Sequence, residues 1–228
     1  MLLAIFTLLL ALAGEPPQSR CAPQFAPLQT GYSSGDSELD FWRKEEAGDW
    51  DGTGWLGWTW QRAVLRPVRL VVRDRPKDLP QVSEADVTVE SIPRVDFAVR
   101  CVPGLRPGKI HDAGVANHSL LYEGPLVVFL GKRRYELRVQ AVHPHLTDAR
   151  VILTDGRRTT QVLYSADGFV DDPHFNVIWA GDLDRDGQLD LVVDLHRKYS
   201  WHPRQLLLST KASRRQLVGE AAVFVTAD

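Results

Sequence analysis

Short apolar runs separated by turn residues recur along this chain, and their period is that of strands. Residues 126–130 (Leu126, Val127, Val128, Phe129, Leu130) and 133–141 flank the pair Gly131-Lys132. Two β-prone runs joined by two residues with glycine first predict a hairpin closed by a type II′ turn. A second hairpin is predicted from 151–154 and 160–164 around Asp155-Gly156, with a longer connection. A third joins Val177-Ile178-Trp179-Ala180 to Leu191-Val192-Val193, and runs at 204–209 and 221–226 supply closing strands, with a helical turn expected over 211–216. In the first half, 68–72, 86–90 and 95–102 read as strands, and Asp86-Val87-Thr88-Val89-Glu90 alternates as a half-buried strand should. The expectation is a mainly β protein in which antiparallel hairpins form a sheet or sandwich with little helix.

The N-terminal region is patterned differently. Residues 1–13 are apolar and end in Ala11-Leu12-Ala13, the small-residue pattern of an export signal cut before Gly14. That apolar core falls short of the roughly 20 residues a spanning helix needs, and no later run approaches it, so the chain is not expected to span a membrane. Residues 14–52 are rich in Pro, Ser, Gly and acidic groups and read as an irregular leader, with a short helix capped by Ser37 expected over 37–47 and carrying Leu39, Phe41 and Trp42 inward. A small β subdomain over 53–105 and a β domain over 106–228 complete the expected organisation.

The strongest chemical signal sits in the third hairpin. Gly181-Asp182-Leu183-Asp184-Arg185-Asp186-Gly187-Gln188-Leu189-Asp190 carries carboxylates at its first, third, fifth and ninth loop positions, with Gly187 at the sixth to permit a sharp bend. Asp182, Asp184, Asp186 and Asp190 are candidate side-chain ligands, and Gln188 offers its backbone carbonyl. Oxygen ligands alone suit a hard cation, and the spacing is that of calcium. Carboxylates about 5 Å apart at an effective dielectric near 20 repel by about 3 kcal/mol per pair, so a cation is expected to hold the loop together. An EF-hand does not fit. Its bidentate Glu belongs at the twelfth position, here Val193, and the flanks read as strands. With no acid at the twelfth position, Asp190 is expected to be bidentate, and Leu189 to anchor the loop in the core.

The segment from Gly181 to Val193 resembles the calcium loop of the FG-GAP repeats in integrin alpha-chain propellers. The loop occurs once and the chain has no internal period, so a propeller is not expected. The tail from Trp179 to Phe224, including Leu206-Leu207-Leu208-Ser209-Thr210, is similar to that of small secreted bacterial proteins carrying one such motif. The segments Gly54-Trp55-Leu56-Gly57 and Pro103-Gly104-Leu105-Arg106-Pro107-Gly108 add to that similarity, which implies no enzymatic activity.

Composition narrows the remaining classes. The formal charge of −2 over 228 residues gives no reason to expect a nucleic-acid partner. The two cysteines, Cys21 and Cys101, meet an oxidising compartment if the chain is exported, and both a disulfide and two free thiols are open readings. Residues 50–60 hold four tryptophans, so a carbohydrate or cell-wall binding module that stacks sugars on indole faces competes with plain core packing. A hydrolase with an unrecognised acidic pair is the third class, although no G-x-S-x-G, P-loop or H-E-x-x-H motif is present. His143-Pro144-His145 resembles a metal pair but reads better as a loop with two exposed imidazoles, and Asn117-His118-Ser119 fits a glycosylation pattern that matters only in a eukaryotic secretory pathway. Asp171-Asp172 reads as a solvated turn more readily than as a group supporting the ion or a neighbouring ion site, and Tyr199, Trp201 and His202 fit an aromatic patch beside the calcium hairpin and a packed loop equally. The leading expectation is a secreted or periplasmic calcium-binding β-protein without catalytic activity, its protein or glycan partner not specified by the sequence. The signal peptide is expected to be cut near Ala13, and intact mass of natively expressed protein checks it: a mature chain beginning at Met1 refutes the assignment.

Overall fold

The computed structural model describes residues 21–28, 42–43, 47, 49–59, 62–74, 84–90, 95–142, 147–157, 159–168, 170, 173–198 and 201–227. The first sheet contains β1 (Gln24–Pro27), β2 (Trp42–Arg43), β3 (Gly52–Thr59), β4 (Arg62–Asp74), β5 (Glu84–Glu90), β6 (Phe97–Arg100) and β7 (Gly108–Lys109). Its order is β1-β6-β3-β4-β5-β2, with β7 also on β4. Two short strands follow, β8 (His111–Asp112) and β9 (His118–Ser119). A four-stranded meander is then built from β10 (Leu126–Leu130), β11 (Arg133–Val142), β12 (Thr147–Thr154) and β13 (Thr160–Ala166). The last sheet takes β14 (His174–Asp182), β15 (Asp190–His196), β16 (Trp201–Leu208) and β17 (Gly219–Ala227) in the order β17-β16-β15-β14-β8, with β9 also against β14. The protein is mainly β, its sheets are antiparallel, and none closes into a barrel or propeller. The helical turn expected over 211–216 lies instead at Ser209–Lys211, as a single 3-10 turn.

Local chemistry explains the hairpins. Leu130 pairs with Arg133 across Gly131-Lys132, and Gly131 takes φ 57° while Lys132 stays out of the left-handed region, as a type II′ turn requires. The second hairpin pairs Thr154 with Thr160 and so has the longer connection expected of it.

Packing then arranges the sheets in three layers. Every residue of β15 is buried. Val192 joins a core containing Trp58, Phe97 and Leu206, whereas Leu191, Val193 and Leu195 join a second core with Leu137, Leu153 and Phe175. Alternation along one strand therefore feeds two cores, and the sheet carrying β15 is the middle layer. A bulge between Val177 and Trp179 lets Ile178 and Trp179 both face the first core, while Val177 and Ala180 face the second. Trp179 meets Trp58 edge-on at 5.9 Å, and Phe224 meets Trp50 at 5.2 Å, stitching middle layer to first sheet. The four apolar side chains of β15 alone are worth about 6–12 kcal/mol of gross burial, as much as the net stability of an ordinary domain.

Several expectations change here. Residues 14–52 are not simply an irregular leader, because β1 pairs with β6 and buries Phe25 and Ala26, and Trp50 is buried as well. Trp42 and Arg43 belong to β2, paired to β5, whose open edge offers them ladder partners that a short solvated helix lacks. Ala47 of the helix expected over 37–47 is helical and buried, and the other residues of that span, Phe41 among them, lie outside the described residues. The signal segment 1–13, Ser37 and Leu39 lie outside the described residues. The chain passes from the first sheet towards the other two between Arg100 and His111, yet the first core draws on both sides of that passage. Among the described residues no helix is long and apolar enough to cross a membrane.

Cys21 and Cys101 form a disulfide that spans 80 residues and fastens β1 beside the end of β6. Closing a loop of this size restricts the unfolded chain by about 4 kcal/mol. The Cys21→Ser, Cys101→Ser double variant is therefore expected to lose about that much stability in urea titration. An unchanged midpoint shows that β1 docks without the tether.

Candidate metal centre

The acidic loop hangs between β14 and β15, whose ladder ends in the pair Gly181 and Asp190. Gly181 is required by close approach, because a Cβ there would sit 2.2 Å from the His111 carbonyl oxygen and 2.4 Å from the Trp179 ring. Leu183 is buried in the first core and Leu189 in the second, so the loop is pinned at both shoulders, one in each core. Between them Arg185 and Gly187 adopt φ 67° and 76°, and these left-handed residues curl the chain back on itself.

Backbone amides hold the carboxylates in place. Asp182 Oδ1 accepts from the Asp186 amide at 3.0 Å and its Oδ2 from the Gly187 amide at 2.9 Å. Asp184 Oδ2 accepts from the Thr210 hydroxyl at 2.5 Å. Asp190 Oδ2 accepts from the Leu183 amide at 2.7 Å, and its Oδ1 from the Ser209 amide at 2.8 Å, tying the loop to the end of β16. One oxygen each from Asp182, Asp184 and Asp190 lies within 4.8 Å of the others, and this trio could hold a metal ion. Asp186 is not part of that trio. Its Oδ1 accepts from the Gln188 amide, and its Oδ2 from the Gln188 side chain at 2.9 Å and the Ser209 hydroxyl at 2.8 Å.

Charge is concentrated where water is scarce. Asp190 has no solvent exposure, and burial pushes its pKa up to about 7, with the Asp184 charge adding to the rise and the Ser209, Leu183 and Asp184 amides opposing it. Burial also raises the pKa of Asp184, against the Thr210 hydroxyl bond, which lowers it. The one cation within the loop turns outward, since Arg185 donates to the carbonyls of Arg106 at 3.0 Å and Pro107 at 3.4 Å. The site thus presents only oxygen donors and an excess of negative charge, the chemistry of a hard-cation site. Ser209, Thr210 and Arg185 were not singled out from sequence as site residues. The first two lie 19 and 26 residues from their carboxylate partners, and no local spacing signals them.

Other candidates resolve differently. Trp50, Trp55 and Trp58 are buried, and Trp55 Nε1 donates to the Trp50 carbonyl at 2.9 Å. These three rings pack the core, so they do not form the exposed row that sugar stacking needs. Trp60, His143, His145, Asp171, Asp172 and Tyr199 lie outside the described residues, as do the side chains of Trp201 and His202. Asn117 is exposed, and His118 Nε2 is 2.9 Å from the Gly124 carbonyl. A cleft of about 330 Å³ beside the loop is lined by Lys132, Arg133, Arg157 and Gln188, with Asp155 as its single carboxylate, so it offers no facing acidic pair.

Fold and site together define a layered antiparallel β-protein with an acidic loop able to hold a metal ion. Compared with family models, curated proteins and solved structures, the chain shows no significant match.

The raised pKa of Asp190 has a definite sign. Its favourable contribution to the metal-free protein is fully present below the unfolded-state value near 4 and is lost as pH rises through about 7. In chelator, the stability of the parent minus that of Asp190→Asn is expected to fall across this range by up to about 4 kcal/mol. Urea titrations at several pH values read the slope. A difference that does not vary with pH shows the carboxylate to be better solvated than its burial indicates.

Proposed function

We propose that this chain is a secreted or periplasmic calcium-binding β-protein related to single-copy FG-GAP loop proteins of bacteria, and that its ion is structural. The observation that carries the reading is the convergence of Asp182, Asp184 and Asp190 around a carboxylate buried as completely as Asp190. Like charges at this separation repel by about 3 kcal/mol per pair, and a dication reverses the sign of that term. The loop spacing adds Asp186 and the Gln188 carbonyl to this set, Asp186 joining only by releasing its bonds to the Gln188 side chain and the Ser209 hydroxyl, and Asp190 supplies the last ligand in place of a distal Glu.

A structural role suits the surroundings. The ion sits where Leu183 enters one core and Leu189 the other, so its binding energy is spent on holding strand ends rather than on an open coordination position above a substrate cleft. Export is supported by the apolar residues 1–13 and by the Cys21 to Cys101 disulfide, which persists in an oxidising compartment.

Calcium is expected to raise the melting temperature of the chelated protein. With an affinity of about 10⁻⁴ to 10⁻³ M, typical of extracellular modules, calcium at about 100 times its dissociation constant adds about 2.7 kcal/mol. Asp190→Asn should lose this increment, and differential scanning calorimetry with and without calcium measures it. If calcium raises the melting temperature of Asp190→Asn as much as that of the parent, the ion binds elsewhere and the proposal fails.

A further inference from the structure

At the end of the β14–β15 ladder remote from the acidic loop, a second set of ligand-bearing side chains converges. His174 and His196 are direct cross-strand partners, and Asp194, two residues before His196, projects from the same face. Asp194 lies about 13 Å along the strand from Asp190, at about 3.3 Å per residue, so one ion cannot serve both clusters. One ligand atom from each of His174, Asp194 and His196 lies within 4.8 Å of the other two. The imidazole rings are stacked with centroids 4.6 Å apart, and His196 and Asp194 are buried while His174 is half-buried.

The hydrogen bonding of His196 fixes its chemistry. Nδ1 is 2.8 Å from the Lys198 carbonyl oxygen, and because a carbonyl can only accept, Nδ1 carries the proton. Nε2, the nitrogen left to take a second proton or a metal ion, stands 3.2 Å from Asp194 Oδ1. The arrangement matches metal-bound histidine, in which the nitrogen remote from the metal donates to a backbone carbonyl and holds the ring in orientation. The spacing agrees as well, since two ligands at about 2.0–2.1 Å from a tetrahedral ion stand about 3.3 Å apart. Arg204, the cross-strand partner of Asp194, places Nε 3.9 Å from the other carboxylate oxygen, so Oδ1 is the atom turned to His196.

We propose that His174, Asp194 and His196 form a second metal site, for a divalent transition ion of the zinc type, with water completing the tetrahedron on the half-buried His174 side. Two imidazoles and one carboxylate suit such an ion and discriminate against calcium, which takes oxygen ligands in larger number. This site does not rest on the calcium reading of the acidic loop. The test is calorimetric titration of the full chain, saturated with calcium, using zinc chloride alone, followed by cobalt chloride with visible absorption as the signature of tetrahedral nitrogen and oxygen coordination. One zinc equivalent per chain is expected, with cobalt bands of tetrahedral intensity. His174→Gln, at a half-buried position that tolerates the change better than His196→Ala, should weaken zinc by roughly tenfold or more while leaving the calcium-dependent melting shift intact. Asp190→Asn should retain zinc. Absence of a zinc equivalent, unchanged affinity in His174→Gln, or loss of zinc in Asp190→Asn alone each overturns the proposal.

Discussion

A carboxylate with no access to solvent, Asp190, is the constraint on which the C-terminal half of this protein turns. Its two oxygens accept from amides on both sides of a topological gap: Leu183 at the start of the loop and Ser209 beyond the end of β16. Those bonds fix the loop's entry, its exit and the neighbouring strand in a single stroke. The same burial makes the ionised form costly, so the site calls for a positive partner, whether proton or cation. Leaving one unit charge unpartnered at this point would cost an appreciable part of a domain's net stability. The surrounding donors orient the group but do not neutralise it, because neutral amides bring no formal charge.

The loop is effective as a structural element because it stands over the middle of three layers. Leu183 and Leu189 leave it in opposite directions, and β15 continues that division with Val192 on one side and Leu191, Val193 and Leu195 on the other. The bulge at Ile178 supplies the one extra residue that lets Trp179 reach Trp58 without moving Ala180 out of the second core. Close approach of His111 to Gly181 then seals the end of the ladder, where any side chain would collide with backbone.

How much of this could be read from residues alone depended on range. The hairpin at Gly131-Lys132 was legible because turn chemistry and strand alternation are both local, and the acidic loop was legible for the same reason. The three layers were not. In Leu191-Val192-Val193-Asp194-Leu195-His196 nearly every position can be buried, so the period that distinguishes one covered face from two is lost. The bulge at Ile178 breaks the alternation just where it would have helped. The insertion of Phe25 and Ala26 into the first core hid inside a Pro-rich stretch, since its ladder partners Val99 and Ala98 lie more than 70 residues on. The supporting contacts of Ser209 and Thr210, and the opposition of His174 and His196, are likewise products of strand register rather than of spacing.

A strand buried on both faces changes how the molecule can come apart. A two-layer sandwich opens along its single interface and leaves each sheet intact, but here the middle sheet belongs to both interfaces at once. Peeling away the first sheet strips Val192 and Trp179, and peeling away the meander strips Leu191 and Val193, so either event damages the strand on which the other core depends. Amide protons of β15 should therefore exchange only through global unfolding, whereas those of the outer edges, β2 and β13, exchange through local fraying. The middle sheet is therefore lost as a unit or not at all, even while the outer edges fray.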